Sequence, residues 1–353
     1  MGMMNNKTVR DINIAEIQRL PTPAQYEFDI PISDEQKNFI YRGREAINNV
    51  LSGNDNRFMV IVGPCSIHDT AAGADYAARL RDLAKTIDSK ILVVMRVYFE
   101  KPRTTVGWKG LIYDPHLNGS LDIKEGLRRA RQFLSDVSDM GILCATEFVD
   151  PITPQYIADF VSWAAIGART AESQTHRQMA SGLSMPVGIK NGTGGSVQLA
   201  ADAIVAANAK HGFLGVDENG NASIVITNGN PNSHLVLRGG SSGPNYDENS
   251  IEAAVALLQK SNVNTKLVID CSHANSEKKY ELEPGVFDNV LDQRIAGNDN
   301  IVGSMIESHL HSGNQSLDEN QPEALEYGIS ITDSCLGWDQ TEELLLAAFK
   351  KMV

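Results

Sequence analysis

Eight short runs that are apolar without a polar alternate constrain this chain more than any other feature: residues 58–62, 91–96, 142–146, 164–168, 186–190, 234–237, 266–269 and 301–305. A strand with one wet face alternates apolar and polar residues, so a continuous run rich in Val and Ile marks a strand buried on both faces, as in a parallel sheet covered by helices. Between most of the runs, apolar residues recur at helical spacing: Leu127, Ala130, Leu134 and Val137; Ile157 with Phe160 and Val161; Ala200 with Ile204; Ile251 with Val255 and Leu258; Val286 with Val290. Eight strands alternating with helices over roughly 250 residues predict an α/β fold, a single (β/α)8 TIM barrel.

Three segments stand outside that repeat. Residues 1–57 are polar and interrupted by Pro21, Pro23 and Pro31, with short helical patches at 12–20 and 36–51. They read as an N-terminal arm outside the core of a catalytic barrel spanning 58–353. Two extra apolar runs flank Asp217-Glu218-Asn219-Gly220, the pattern of a β-hairpin inserted before the sixth strand, over 213–233. Residues 96–120 form a long glycine-containing loop after the second strand, and long loops in compact domains are usually functional or mobile.

Charge narrows the partners. With 31 Lys and Arg against 44 Asp and Glu, the net charge is −13 and no run of cations occurs. Nucleic acid and anionic membranes need a positive surface, so small molecules are the expected partners. No apolar stretch approaches the roughly 20 residues that span a bilayer, and a cytoplasmic location is expected. Cys65, Cys144, Cys271 and Cys335 are far apart and form no CxxC pair, which argues against a disulfide framework or a zinc finger. No GxxxxGK[ST] phosphate loop is present, and Gly192-Thr193-Gly194-Gly195 lacks the third glycine of a dinucleotide fingerprint.

In a barrel of this kind the reactive groups lie at the carboxyl ends of the strands. The residues just past each run are chemically rich: Gly63-Pro64-Cys65-Ser66-Ile67-His68-Asp69 after the first; Arg96, then Lys101-Pro102-Arg103-Thr104-Thr105, at the second; Glu147 at the third; Arg169 at the fourth. Lys190-Asn191-Gly192-Thr193, Arg238-Gly239-Gly240, Asp270-Cys271-Ser272-His273 and Glu307-Ser308-His309-Leu310-His311 stand at the ends of the other four, and a ninth apolar segment, 328–332, ends in Asp333. Arg96, Lys101, Arg103, Arg169, Lys190 and Arg238 would make a positive bowl in an acidic chain, suited to phosphate or carboxylate groups. Arg offers a planar fork to such oxyanions and Lys a compact charge.

Cys65, His273, Glu307 and Asp333 come after four different apolar segments at the same end. One thiolate, one imidazole and two carboxylates suit a single borderline divalent ion, with Mn²⁺, Fe²⁺, Co²⁺ and Zn²⁺ favoured over Mg²⁺ or Ca²⁺. Cys65 alone would also fit as a small buried apolar residue, and His309 and His311 are competing imidazoles.

Around these residues the sequence resembles the class I, aromatic-amino-acid-regulated 3-deoxy-D-arabino-heptulosonate 7-phosphate (DAHP) synthases. The stretches that carry the likeness are GPCSIHD from Gly63, MRVYFEKPRTTVGWKG from Met95, IGART from Ile166, ESQTHR from Glu172, LRGG from Leu237, DCSHAN from Asp270, MIES from Met305 and GNQS from Gly313. The resemblance implies a metal-dependent condensation of phosphoenolpyruvate with erythrose 4-phosphate that releases phosphate, at the head of the shikimate pathway. Carried over by position, Cys65, His273, Glu307 and Asp333 look like the metal ligands, with Mn²⁺ the expected ion. Arg96, Arg169, Lys190 and Arg238 look like the phosphoenolpyruvate clamp, and Lys101, Pro102, Arg103 and Thr104 like the erythrose 4-phosphate contacts. Lys101, Cys65 and His273 are the expected catalytic groups, Lys101 as proton donor.

The resemblance also implies feedback inhibition by an aromatic amino acid bound away from the active site, at positions matching Asp11, Asp150, Pro154, Gln155, Leu183, Ser184, Phe213 and Gly215. A glycine at 215 would leave room for a phenol hydroxyl, which favours tyrosine, whereas Ile152-Thr153-Pro154 looks like phenylalanine-regulated relatives. The chain departs from the common pattern at Ala171, Ile189 and Gly194, none of them a catalytic position. A homodimer or homotetramer is implied, with the arm serving oligomerisation and regulation. Two alternatives stay open: condensation with another aldose phosphate, and a non-catalytic effector-binding barrel.

Overall fold

The computed structural model describes residues 9–352; the first eight residues of the arm and Val353 lie outside the described residues. The chain begins with α1 (Pro23–Asp29) and α2 (Asp34–Ser52), then enters the barrel at β1 (Phe58–Gly63). There follow α3 (Thr70–Ile87), β2 (Ile91–Arg96), α4 (Ile123–Asp139), β3 (Leu143–Glu147), α5 (Pro154–Ile157), β4 (Trp163–Ile166), α6 (Gln174–Ala180), β5 (Val187–Lys190) and α7 (Val197–Ala207). The inserted pair β6 (Gly212–Val216) and β7 (Ala222–Ile226) precedes β8 (Ser233–Leu237), α8 (Glu248–Lys260), β9 (Leu267–Asp270), α9 (Glu283–Ile295), β10 (Ile301–Glu307) and α10 (Trp338–Lys351). No described helix is long and apolar enough to cross a membrane.

The eight runs close into a parallel barrel in the order β1-β2-β3-β4-β5-β8-β9-β10, with β10 pairing back on β1. The expected hairpin is there as an antiparallel pair, Gly212 opposite Ile226 through Val216 opposite Ala222, and it feeds the sixth barrel strand. The ninth segment, 328–332, forms no strand; it is held by isolated bridges such as Asn314 with Ser330.

Alternation along each strand sorts the core into two compartments. Phe58, Val60 and Val62 of β1 face the helices with Tyr76 and Leu80 of α3. Met59 and Ile61 face the barrel interior with Leu92, Val94, Trp163, Val236 and Val268. Burying each such side chain fully contributes about 1.5–3 kcal/mol, and burial on both faces is why the runs are continuous.

Two expectations about the arm need correction. Residues 12–20 form no helix; Ile12 and Ile17 are 70% and 79% exposed. A helix that short is marginal unless a partner covers its apolar stripe, and within the described residues none does. The second patch is helical, as α2, but does not stand outside the core. Its Ile47, Val50 and Leu51 are fully buried among the inward residues Met59, Ile61 and Leu92, so α2 plugs the barrel interior. A capping box between Ser33 and Gln36 starts the helix and a left-handed Gly53 ends it.

The fourth strand also stops earlier than expected, at Ile166, and at the next residue, Gly167, a Cβ would lie 2.1 Å from Glu147 Oε1. A side chain there would evict the Glu147 carboxylate. A second close approach shapes the 96–120 loop: Gly110 has φ +114°, and a Cβ on it would lie 2.0 Å from Phe99 O. Gly110→Ala is expected to cost about 3 kcal/mol from backbone strain, read as a lowered urea midpoint with an unchanged m-value; an unshifted midpoint would show that the loop relaxes freely.

Candidate active site

The carboxyl ends of the barrel strands open into a cavity of about 690 Å³. Lys101, Pro102, Arg103 and Thr104 from the loop after β2, Arg169 after β4, Lys190 at the end of β5 and Arg238 after β8 all stand in its wall. Arg169 closes one side, donating from Nε to Thr104 Oγ1 (3.0 Å) and from Nη1 to Pro102 O (3.3 Å). Lys190 is almost fully buried and donates to Asp270 Oδ2 at 2.8 Å. The Asn191 amide oxygen accepts from Arg238 N at 2.8 Å, fixing the backbone from which that arginine projects.

Arg96 is placed differently from the other three expected clamp residues. It is fully buried under the floor, with Nη2 2.8 Å from Glu307 Oε1 and its guanidinium 4.0 Å from the centre of the Tyr98 ring. Its immediate work is to neutralise Glu307.

Three of the four expected metal ligands converge, and the fourth stands beside them. The donor atoms of Cys65, Glu307 and Asp333 lie within 4.8 Å of one another. His273 Nε2 is 4.0 Å from Glu307 Oε1 and 4.0 Å from Asp333 Oδ2, while its Nδ1 is 2.9 Å from Asp270 Oδ2. A carboxylate behind the ring is the usual way a ligating imidazole is oriented. His273 itself holds a left-handed backbone, φ +58°, the kind of local strain that collects at working sites. Lys101 Nζ lies 3.1 Å from Cys65 Sγ and 3.2 Å from Cys65 O.

Electrostatics agree with one linked cluster. Burial, and then the Glu307 charge, push the Cys65 thiol up to about 12, so a bound cation would be needed to hold it as thiolate. Burial would lower Lys101, but Cys65, Glu307 and Asp333 outweigh it and keep the ammonium charged. Burial would raise Asp270, but His273 and Lys190 hold it well below the ordinary carboxylate range. Asp333 is held down in the same way by Lys101 and His273.

A thiol and two carboxylates in one cluster, with an imidazole 4.0 Å from each carboxylate, form a donor set whose chemistry fits a divalent ion of mixed N, O and S preference. His309 does not join them: it is buried, its Nδ1 accepts from Leu310 N at 2.8 Å, and its ring stacks edge-on against His68 and Tyr76.

A family model described as the DAHP synthetase I family matches residues 29–346. The chain belongs to that family. It is 46% identical over 342 residues to the Tyr-sensitive phospho-2-dehydro-3-deoxyheptonate aldolase of Escherichia coli K12, covering 97% of this chain and 96% of the relative. It is 49% identical over 335 residues to the Phe-sensitive enzyme of the same organism, covering 95% of each, and 47% identical over 335 residues to a Trp-sensitive enzyme of Shigella flexneri, again covering 95% of each. Among solved structures, phospho-2-dehydro-3-deoxyheptonate aldolase from Francisella tularensis SCHU S4 superposes with a TM-score of 0.93 at 46% identity, over 96% of this chain and 98% of that one. Membership of this family of synthases implies a divalent metal, and the donor set has the chemistry to hold one.

Three of the positions expected to contact an effector meet elsewhere. Pro154, Gln155 and Ser184 line a second cavity of about 700 Å³, together with Pro23, Lys37 and Arg44 from the arm. Asp11, Asp150, Leu183, Phe213 and Gly215 are not in its wall. Gly215 has a different reason to be glycine: on β6 a Cβ would lie 2.7 Å from Val225 Cγ2 of β7, so it lets the hairpin pack.

Sequence reasoning named Glu147 and Asp270 without giving them work and missed Glu283. Glu147 is buried in the cavity wall with Oε1 free of any hydrogen-bond partner. Glu283, fully buried at the start of α9, accepts from Glu307 N at 3.1 Å, and burial followed by the Glu307 charge push its carboxyl well above the ordinary range. Only Asp270 carried a signal, three residues before His273 at a strand end.

Proposed function

We propose that the chain condenses phosphoenolpyruvate with erythrose 4-phosphate and water to give DAHP and inorganic phosphate, under feedback control by an aromatic amino acid. The observation that carries this reading is the cavity itself, where cations from four different strand ends share the wall with His273 and Asp333, next to the buried Cys65 and Glu307. Two polyanions repel each other in water; Arg169, Lys190 and Arg238 offset that repulsion for phosphoenolpyruvate, while Lys101, Arg103 and Thr104 hold the sugar phosphate. Held so, the enol carbon and the aldehyde meet in one orientation.

Cys65, His273, Glu307 and Asp333 would hold the metal, Mn²⁺ by preference, which when bound supplies Lewis-acid polarisation of an oxygen. Arg96 screens Glu307 from beneath. As the third carbon of phosphoenolpyruvate bonds to the aldehyde carbon, Lys101 Nζ gives its proton to the developing alkoxide. Glu147, which lines the cavity and whose buried Oε1 has no hydrogen-bond partner, takes a proton from the water that adds to the second carbon. The resulting hemiketal phosphate then expels phosphate.

The test is the loss of phosphoenolpyruvate absorbance by metal-depleted protein given erythrose 4-phosphate, before and after Mn²⁺. Metal-restored loss is expected; no loss with any divalent ion would send the reading to another aldose phosphate or to a binding protein. The effector site of this proposal is the arm-side cavity, with the arm (1–57) and the hairpin (213–233) as its regulatory and oligomerisation elements. Tyrosine is the effector proposed, but Gly215 lies outside the cavity wall, so tyrosine, phenylalanine and tryptophan are to be compared side by side. Leu214 and Ile224 on the hairpin are 88% and 76% exposed, which supports a homodimer or homotetramer of a cytoplasmic enzyme. Light scattering behind size exclusion is expected to show two or four chains, and a monomer would overturn the assignment.

A further inference from the structure

One fully buried carboxylate belongs neither to the metal set nor to the cation bowl. Glu100 immediately precedes Lys101 and is 1% exposed. Each of its contacts is a donor from elsewhere. Oε1 accepts from Asp150 N (3.0 Å), Tyr113 OH (3.1 Å) and Thr153 Oγ1 (3.2 Å), and Oε2 accepts from Val149 N (3.2 Å). Three of the four donors sit on the segment between β3 and α5; the fourth, Tyr113, lies at the far end of the loop that Glu100 opens. An ionised carboxylate offers about four lone-pair sites and no donor, so four donors suit it, and they partly offset burial, which pushes the Glu100 carboxyl up to about 7.

The loop's other restraints are side-chain contacts at the cavity, Arg169 to Thr104 and Pro102 and Lys101 to Cys65. Lys101 N donates to Lys109 O at 2.9 Å, which closes the loop on itself. Arg103, Thr104 and Thr105 are exposed. Beyond the carboxylate, the segment from Val149 to Thr153 is firmly seated: Val149 O lies 2.7 Å from His176 Nε2, Phe148 N donates to Ala165 O, and α5 comes directly after it.

We propose that Glu100 is a positioning residue, whose buried carboxylate pins the Lys101–Thr104 loop to the Val149–Thr153 segment and so sets the place of the sugar-phosphate contacts. The inference rests on the reading of Lys101, Arg103 and Thr104 as erythrose 4-phosphate contacts. It acts most directly on the sugar-phosphate contacts: Lys190 and Arg238 rise from β5 and β8 and do not depend on this anchor, and of the phosphoenolpyruvate clamp Arg169 alone touches the loop, through Thr104 and Pro102.

Two variants test it. Glu100→Gln keeps the shape but turns a donor toward Val149 N–H, leaving buried groups mispaired. Thr153→Val removes a single donor at a residue that touches neither substrate. In Glu100→Gln, kcat/KM for erythrose 4-phosphate is expected to fall about tenfold, the effect of one mispaired buried group, with KM for phosphoenolpyruvate within about twofold. Thr153→Val should move the same way by a smaller factor. Trypsin cleavage at Arg103–Thr104, followed by mass spectrometry on the holoenzyme, should quicken about tenfold in Glu100→Gln. Equal losses for both substrates, or a parental cleavage rate in a folded variant, would overturn the proposal. If Glu100→Gln does not fold, Thr153→Val decides by the same readouts. A parent inactive with erythrose 4-phosphate would remove the substrate assignment, while the cleavage ratio would still decide whether Glu100 anchors the loop.

Discussion

Cys65→Ala is expected to lower metal-supported turnover by at least about a hundredfold, the upper end of what losing even an outer-shell partner costs. Cys65 is the second residue past β1, and its sulfur is the soft donor of the cluster with Glu307 and Asp333. Its loss leaves Glu307, Asp333 and His273, whose Nε2 is 4.0 Å from each carboxylate, without a sulfur donor. Metal content by atomic absorption after dialysis should fall in parallel, while far-UV circular dichroism stays that of the parent. Full metal retention together with full activity would remove Cys65 from the ligand set.

Asp270→Ala is expected to be the most destabilising single change at the site, by about 3–5 kcal/mol, because removing one partner strands a buried charge. The Asp270 carboxylate faces Lys190 Nζ at 2.8 Å and His273 Nδ1 at 2.9 Å, and its Oδ1 accepts from Ser272 N. These partners also set the sign of the pH dependence. A carboxyl held below its unfolded value of about 3.9 contributes stability that is fully present above that value and lost as pH falls through the folded one. The parent should therefore lose urea resistance below about pH 4, and Asp270→Ala should show a shallower acid limb at a lower plateau. A variant as resistant as the parent at pH 7 would show that Lys190 finds another partner.

The barrel was legible because burial on both faces writes each strand as an unbroken apolar run, and the hairpin because Asp217-Glu218-Asn219-Gly220 is a turn between two such runs. The site was legible for a related reason: each parallel strand delivers its next residue to the same end, so reading past the runs collects the cluster. What the sequence could not convey is where a side chain turns after it leaves the strand. Arg96 and Lys190 both end strands as cations, yet one folds under the floor against Glu307 and the other reaches the cavity wall. Apolar spacing also cannot say whether a stripe finds a partner, which separates residues 12–20 from α2. Buried partners such as Glu283 act through backbone groups remote in sequence, and no local pattern marks them.

The barrel closes along the seam between its first and last strands, where Met59 pairs with Gly303 and Gly63 with Glu307. Cys65 lies just past one edge of that seam and Glu307 on the other. During synthesis the donor set therefore cannot assemble until the ribosome has released nearly the whole chain and the two edges have met. An ion bound there would act as a clasp: binding the closed form and not the open one, it would hold shut the join on which its own site depends.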